Sequence, residues 1–304
     1  MKVHHEFSGD CERPLVLAIG FFDGFHRGHR EIARQTLRLR KPGWRSGVLT
    51  FANHPATHLR PGTEPPLICT LEERLTLFAA VGFEECFLVT FDDTIATLEP
   101  EAFLAILVER LGVRGVVVGS TFRFGHKRGG DVTMMREYLA PRRVRCVAVE
   151  HVADDGERIS STRIRALIRA GDLTQADRLL GGTGYEIRGP VEPGAGRGHR
   201  LGFPTANVRI PLKLLPKDGV YSAIARYDGR DHAALVSIGT NPQFDGGVRT
   251  VEAWMRDFEH TIYGRELALR GLRYVREQRL FAGVGELTEQ MLRDRQAIGY
   301  PSYG

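Results

Sequence analysis

The chain has 304 residues, 42% of them hydrophobic and 26% charged, a composition that fits an ordinary globular protein long enough for two domains. No apolar run approaches the ~18 residues that cross a bilayer, and the first ten residues lack the apolar centre of a secretory leader, so a cytoplasmic protein without membrane contact is expected. The net charge of +5 is carried mainly by arginine, whose planar fork suits phosphate, although a compositional bias toward arginine would look the same; with no basic motif interleaved with aromatics, no nucleic-acid partner is expected.

The four cysteines, Cys11, Cys69, Cys86 and Cys146, are far apart and form no C-x-x-C pair. Free thiols in a reducing cytosol are a simpler reading than a zinc site or a disulfide framework.

Along the first half, short apolar runs at 14–20, 46–51, 86–91, 114–119 and 144–150 alternate with helical stretches at 28–40, 71–81, 100–111 and 131–140. Strands apolar on both faces and separated by helices predict a doubly wound parallel sheet. Two short helices follow at 162–170 and 174–180, the first capped by Ser160 or Ser161 and stopped by Gly171. The glycine-rich segment 181–184 predicts a hinge, which divides the chain into domains 1–183 and 184–304. Beyond it, alternating runs at 185–191, 219–226, 232–238, 248–257 and 266–275 predict a small antiparallel barrel, closed by a helix at 285–297.

The first candidate site is Gly20-Phe21-Phe22-Asp23-Gly24-Phe25-His26-Arg27-Gly28-His29, which follows the first apolar strand and runs into a helix. Ligands of open α/β sheets sit at the carboxyl ends of strands, and helix N-termini attract phosphate. Gly28 permits close backbone approach, and His26 and His29 can face one anion. Two surface histidines beside a turn are the bland alternative. A metal-binding pair lacks a third ligand.

His-x-Gly-His after a first strand resembles the signature of the nucleotidyltransferase superfamily. Ile159-Ser160-Ser161-Thr162-Arg163-Ile164-Arg165 resembles its second element. The resemblance implies that Ser161 and Thr162 hold phosphate and that Arg165 neutralises pyrophosphate. Within the superfamily, Phe-Asp-Gly-x-His-x-Gly-His resembles the N-terminal domain of the bifunctional riboflavin kinase/FMN adenylyltransferases. Thr50-Phe51-Ala52-Asn53-His54-Pro55 and Gly119-Ser120-Thr121-Phe122-Arg123-Phe124-Gly125 look like two further elements of that family. By resemblance His26 and His29 are catalytic, Gly20, Phe21, Asp23 and Gly28 bind ATP, and Asn53 and Thr121 lie toward the flavin. Asn53 replaces the usual proline. Thr121 replaces a usual Asp or Asn, which keeps open an alternative: a riboflavin kinase whose N-terminal domain is impaired or takes another nucleotide or flavin analogue.

The second candidate site is the stretch 194–207, Gly-Ala-Gly-Arg-Gly-His-Arg-Leu-Gly-Phe-Pro-Thr-Ala-Asn. It is neither a Walker A loop nor a Rossmann fingerprint, but its glycines permit a backbone nest for phosphate. Thr205 and Asn207 offer two neutral hard oxygens of the kind Mg²⁺ takes. The Leu-Gly-Phe-Pro-Thr-Ala-Asn core resembles the riboflavin kinase signature, which implies Mg-ATP on Gly196, Gly202, Thr205 and Asn207, with the metal at Thr205 and Asn207. On the strand 250–257, Val251, Ala253 and Met255 share one face, and Glu252 and Trp254 the other. A strand glutamate is ordinarily a solvated surface group. By resemblance Glu252 is instead the base for the ribityl hydroxyl, segments 237–244 and 272–281 also match, and Arg276 lies toward the flavin.

The resemblance therefore implies a nucleotidyltransferase-like α/β domain followed by a kinase barrel. Its substrates would be riboflavin, FMN and ATP, its metal Mg²⁺ and its products FMN and FAD, in a monomer or weak homo-oligomer.

Overall fold

The computed structural model describes residues 1–8, 13–182, 184–194, 203–210, 212–240, 249–279, 281 and 283–297. The chain forms two compact units, Met1–Ser161 and Thr162–Gly304.

In the first unit the strands of the main sheet are β1 (Lys2–His5), β2 (Leu15–Ile19), β3 (Arg45–Phe51), β4 (Glu85–Val89), β5 (Val113–Gly119) and β6 (Arg145–Val149). They form one sheet in the order β1-β4-β3-β2-β5-β6, and every pairing is parallel. The longer helices are α1 (Arg27–Leu39), α2 (Leu71–Val81), α3 (Pro100–Ala105) and α4 (Val132–Leu139). The expected 100–111 helix is α3 continued by a π-type turn, Ile106–Arg110. Helix α2 starts where the sequence places it because Thr70 and Glu73 form a reciprocal capping box, and it stops at Gly82 with φ 101°.

Alternation along β2 separates two cores. Leu15, Leu17 and Ile19 pack with Phe103, Leu104, Leu107 and Met135, under α3 and α4. Val16 and Ala18 pack with Ile32, Ala33 and Phe78, under α1 and α2. Each such buried side chain contributes about 1.5–3 kcal/mol. The sheet is thus doubly wound. The chain runs outward from β2 to β3 and β4, then returns past β2 to β5 and β6. The switch lies between the carboxyl ends of β2 and β5, where such sheets bind ligands. Strand β1 is unexpected: Lys-Val-His-His carries no apolar run, and a sheet edge does not demand one.

The second unit contains α5 (Ser161–Ala170, from Thr162 onward), α6 (Leu173–Leu180), β7 (Glu186–Glu192), β8 (Thr205–Val208), β9 (Gly219–Tyr227), β10 (Arg230–Thr240), β11 (Arg249–Met255), β12 (Glu266–Arg276) and α7 (Val284–Ala297). The six strands close into a barrel in the order β7-β8-β11-β10-β9-β12. Tyr221, Val236, Ala253 and Leu269 are fully buried and fill its interior. The four-residue β8 is too short to be read from alternation alone. Helices α5 and α6 count with the barrel. The Asp177 carboxylate on α6 accepts from the Tyr185 N–H at 2.7 Å and from Arg273 of β12 at 3.3 Å. The compact units accordingly meet earlier in the chain than the expected 183/184 boundary.

Candidate functional site

A cavity of about 270 Å³ opens at the switch point of the first unit. It is lined by Gly20, Phe21, His26, Gly28 and His29 from the loop after β2 and the start of α1. Gly119 and Thr121 line it from the loop after β5, and Ser161 from the segment leading to α5. The structure therefore brings seven of the expected positions, all but Gly119, into one place.

His26 is the N-cap of α1, its Nδ1 accepting the His29 N–H at 3.4 Å. Its proton then sits on Nε2 in the neutral ring. The two imidazoles stack, centroids 3.6 Å apart and 18° from parallel. A Cβ at position 28 would stand 3.1 Å from the His26 ring, so Gly28 makes room for that ring. Burial, reinforced by the Arg158 cation, lowers His26 from 6.5 to about 4. Burial, and then His26 itself, holds His29 well below its ordinary value. Both are neutral at pH 7, so they meet an anion as hydrogen-bond donors rather than as cations. The His29 Nδ1 is buried without a hydrogen-bond partner.

The preceding turn is strained. Phe22 has φ 59° and Phe25 φ 38°, both in the left-handed region that bulky side chains avoid, with Gly24 between them at φ 75°. Asp23 is buried, and its carboxylate accepts the N–H groups of Ile68 and Cys69 at 2.9 and 3.2 Å. An anion so placed holds the turn, and Asp23 does not line the cavity. The Ser161 hydroxyl donates to the Asp23 carbonyl at 3.1 Å, which ties the second motif to the first. Asn53 is absent from the lining as well: its amide donates to and accepts from the Phe91 backbone at 2.9 and 2.8 Å. Thr162 and Arg165 belong to the second unit, Arg165 sharing a helix face with Ile164 and Ile168.

A smaller cavity of about 220 Å³ lies beside the first and shares Thr121 and Phe122 with it, continuing to Arg123, Asp131 and Thr133. Sequence reasoning missed Arg158, which lines the larger cavity next to His26; its position just before Ile-Ser-Ser-Thr was the available signal. It also missed the Arg27–Asp154 pair at 2.6 Å, which fastens the hairpin 153–158 to α1.

In the barrel, register builds the site. Asn207 of β8 stands opposite Glu252 of β11, and Thr205 opposite Trp254. Cross-strand partners share a face, so Thr205, Asn207, Glu252 and Trp254 project together on the outer side, away from the filled interior. The row extends through Glu192, opposite Asn207, and Ser237, opposite Glu252. Phe203, Trp254, Val220 and Leu235 pack on this side with Met291 of α7. Gly194 lies so close to Asn207 that an added Cβ would collide with its amide. Gly196, Gly202 and the segment 241–244 lie outside the described residues.

Arg276 is engaged with the closing helix. Its guanidinium grips Asp294 of α7 at 2.6 and 3.1 Å, and Gln290 donates to the same carboxylate at 2.7 Å. The arginine therefore fastens the closing helix to the barrel. Among the described residues no group of three His, Cys, Asp or Glu could hold a metal ion, and no helix is long and apolar enough to cross a membrane.

Two family models match the chain: FAD synthetase over residues 9–163 and riboflavin kinase over 181–299. The bifunctional riboflavin kinase/FMN adenylyltransferase of Listeria monocytogenes is 34% identical over 300 residues, covering 97% of this chain and 95% of that one. The protein of the same name from Bacillus subtilis is 33% identical over 303 residues, with the same coverage. A crystal structure described as a macrolide-efflux protein from Streptococcus pneumoniae superposes with a TM-score of 0.88 at 28% identity, covering all of both chains. With both catalytic domains matched and the likeness running almost end to end, this chain belongs to the bifunctional riboflavin kinase/FMN adenylyltransferase family.

Proposed function

We propose that the first unit transfers AMP from ATP to FMN at the switch-point cavity, and that the barrel phosphorylates riboflavin along the Thr205–Asn207–Glu252 row. The observation that carries the reading is the union of the His26/His29 pair, Gly28 and Ser161 around one cavity. An oxygen of the FMN phosphate attacks the α-phosphorus of ATP, the bond from that phosphorus to the α,β-bridging oxygen breaks, and pyrophosphate leaves with that oxygen. Neutral His26 and His29, with loop and helix amides, stabilise the charge that builds on the α-phosphate oxygens. The flavin takes the adjoining cavity, because Thr121 borders both spaces.

In the barrel, Glu252 takes the proton of the ribityl 5′-hydroxyl as that oxygen attacks the γ-phosphorus and ADP leaves. The donor set fits Mg²⁺: Thr205 and Asn207 supply hard neutral oxygens on one strand face, and the bare backbone of Gly194 makes room for the Asn207 amide. Bound there, Mg²⁺ would offset phosphate charge. Gly196 and Gly202 would supply the phosphate nest, and the functional boundary would fall at 183/184. The free thiols Cys69, Cys86 and Cys146 support a cytoplasmic setting, for a monomer or weak homo-oligomer without a nucleic-acid partner.

The test is to incubate the purified chain with riboflavin, ATP and Mg²⁺ and resolve the products by chromatography. FMN followed by FAD is expected. FMN alone would leave the chain a kinase and overturn the assignment to the first unit, the alternative that Thr121 keeps open.

A further inference from the structure

Arg74 of α2 is only 2% exposed. Its Nη1 donates to the Phe21 carbonyl at 2.6 Å and to Thr50 Oγ1 at 3.4 Å, and its Nη2 to the Phe51 carbonyl at 2.7 Å. The Thr50 hydroxyl donates to the same Phe21 carbonyl at 3.1 Å. The guanidinium also lies over the Phe21 ring, 4.3 Å from its centroid, and its Nε has no hydrogen-bond partner. The contrast is Arg45, equally buried, which pairs with Glu85 at 2.9 Å. Arg45 also donates to the Arg13 and Leu111 carbonyls, but among the described residues Arg74 has no carboxylate as a hydrogen-bond partner: its guanidinium is held by two backbone carbonyls and Thr50, and a buried charge is costly unless such bonds are kept.

Those carbonyls flank the strained turn. Phe21 precedes Phe22, the first of the left-handed residues. The peptide between them is trans, so a carbonyl drawn toward Arg74 turns the Phe22 N–H the opposite way. Phe51 ends β3, the strand beside β2. One turn along α2 from Arg74, Phe78 packs edge-on against both Phe22 and Phe25, at 5.8 and 5.3 Å. A single helix face thus grips the turn by its backbone and by its rings.

We propose that Arg74 is a positioning residue for adenylyl transfer: by bridging the Phe21 and Phe51 carbonyls it holds turn 21–25 in the shape that presents His26, His29 and the loop to ATP. It touches no substrate. The inference rests on the assignment of the His26/His29 site, and a parallel variant separates the two. Lysine keeps the charge at position 74 but has one nitrogen, which cannot span both carbonyls; methionine keeps the packing on Phe21 and loses both.

The experiment measures kcat and KM for FAD formation from FMN and ATP in the full chain, with riboflavin phosphorylation by the barrel as the measure of folded protein. Arg74→Met is expected to lower kcat for FAD formation ~100-fold, the loss typical of a misplaced reacting group. KM for ATP should stay within about threefold, and riboflavin phosphorylation within about twofold. Arg74→Lys should recover part of kcat, to roughly tenfold below the parent. Arg74→Met with kcat within threefold of the parent, a loss confined to KM, or Arg74→Lys no better than Met would each overturn the proposal. If the Met variant does not fold, Arg74→Lys at parental kcat overturns it alone. Should His29→Ala retain FAD formation, the site assignment itself falls; if His29→Ala is inactive and Arg74→Met is not, only this inference falls.

Discussion

In the first unit the phosphate-facing turn carries Phe22 and Phe25 at positive φ, restrained from α2, β3, the 68–69 segment and Ser161. In the barrel, Asn207 and Glu252 meet because two ordinary antiparallel strands are in register. Each left-handed phenylalanine costs about 1–3 kcal/mol that surrounding contacts must offset; the strand pairing stores no such strain. The loop site therefore depends on residues remote from the chemistry, while the register site depends on side chains within it and on the room they have.

The sharpest way to break that comparison is a reciprocal pair of substitutions in the full chain. Glu252→Gln removes the base and should lower FMN formation by ~10³-fold or more, within the range for general-base loss, while FAD formation from supplied FMN persists. His29→Ala removes a donor to the developing charge and should lower FAD formation by ~10²–10³-fold while riboflavin is still phosphorylated. Product chromatography reads both. If either variant loses both activities while still folded, the division of labour is wrong.

Legibility in the sequence divides along the same line. Strands β2 to β6 lie under continuous apolar runs because helices cover both faces of the sheet. Helix α2 falls at the expected 71–81 because its cap is written in Thr70, Glu73 and Gly82. In the barrel, simple alternation puts Glu252 and Trp254 together, and the register brings Asn207 to them. The loop site is harder to read. Arg74 sits in Glu-Glu-Arg, which looks like a solvated helix face, and only its spacing from Phe78 hints at burial. Asp23, Asn53 and Arg276 fall in or beside recognisable motifs, yet their polar atoms are taken up by backbone amides or by Asp294. A motif marks which segments meet; it does not say which side chains face the ligand and which hold the segment in place.

The neutral histidine pair yields a prediction about stability. An unfolded histidine titrates near 6.5, while burial, reinforced by Arg158, brings folded His26 to about 4. Above 6.5 neither state binds the proton. Below it the unfolded chain takes up a proton that the native ring refuses, so stability is lost as pH falls from 6.5 toward 4. Complete passage through that window removes about 3 kcal/mol. His29, shifted in the same direction, adds to the loss. Denaturant melts of the first unit's transition at pH 7 and pH 5 should show a steeper loss in the parent than in a His26→Asn variant. Equal slopes would mean that His26 is protonated in the native protein.

The smallest effect belongs to the barrel, where space should matter more than restraint. A methyl group at Gly194 would stand 2.6 Å from the Asn207 Cγ and 3.0 Å from its Oδ1. Gly194 has no positive φ, so alanine there adds no backbone strain and acts through this contact alone. Asn207 lies between Glu192 and Glu252 in the cross-strand row, so its amide can retreat only by giving up its place beside Glu252. Gly194→Ala should therefore lower riboflavin phosphorylation roughly tenfold, with FAD formation from FMN unchanged. Pairing it with Asn207→Ala removes the group it strikes. The double variant should then be no worse than Asn207→Ala alone, and additive losses would show that Gly194 serves the site by some route other than making room for Asn207.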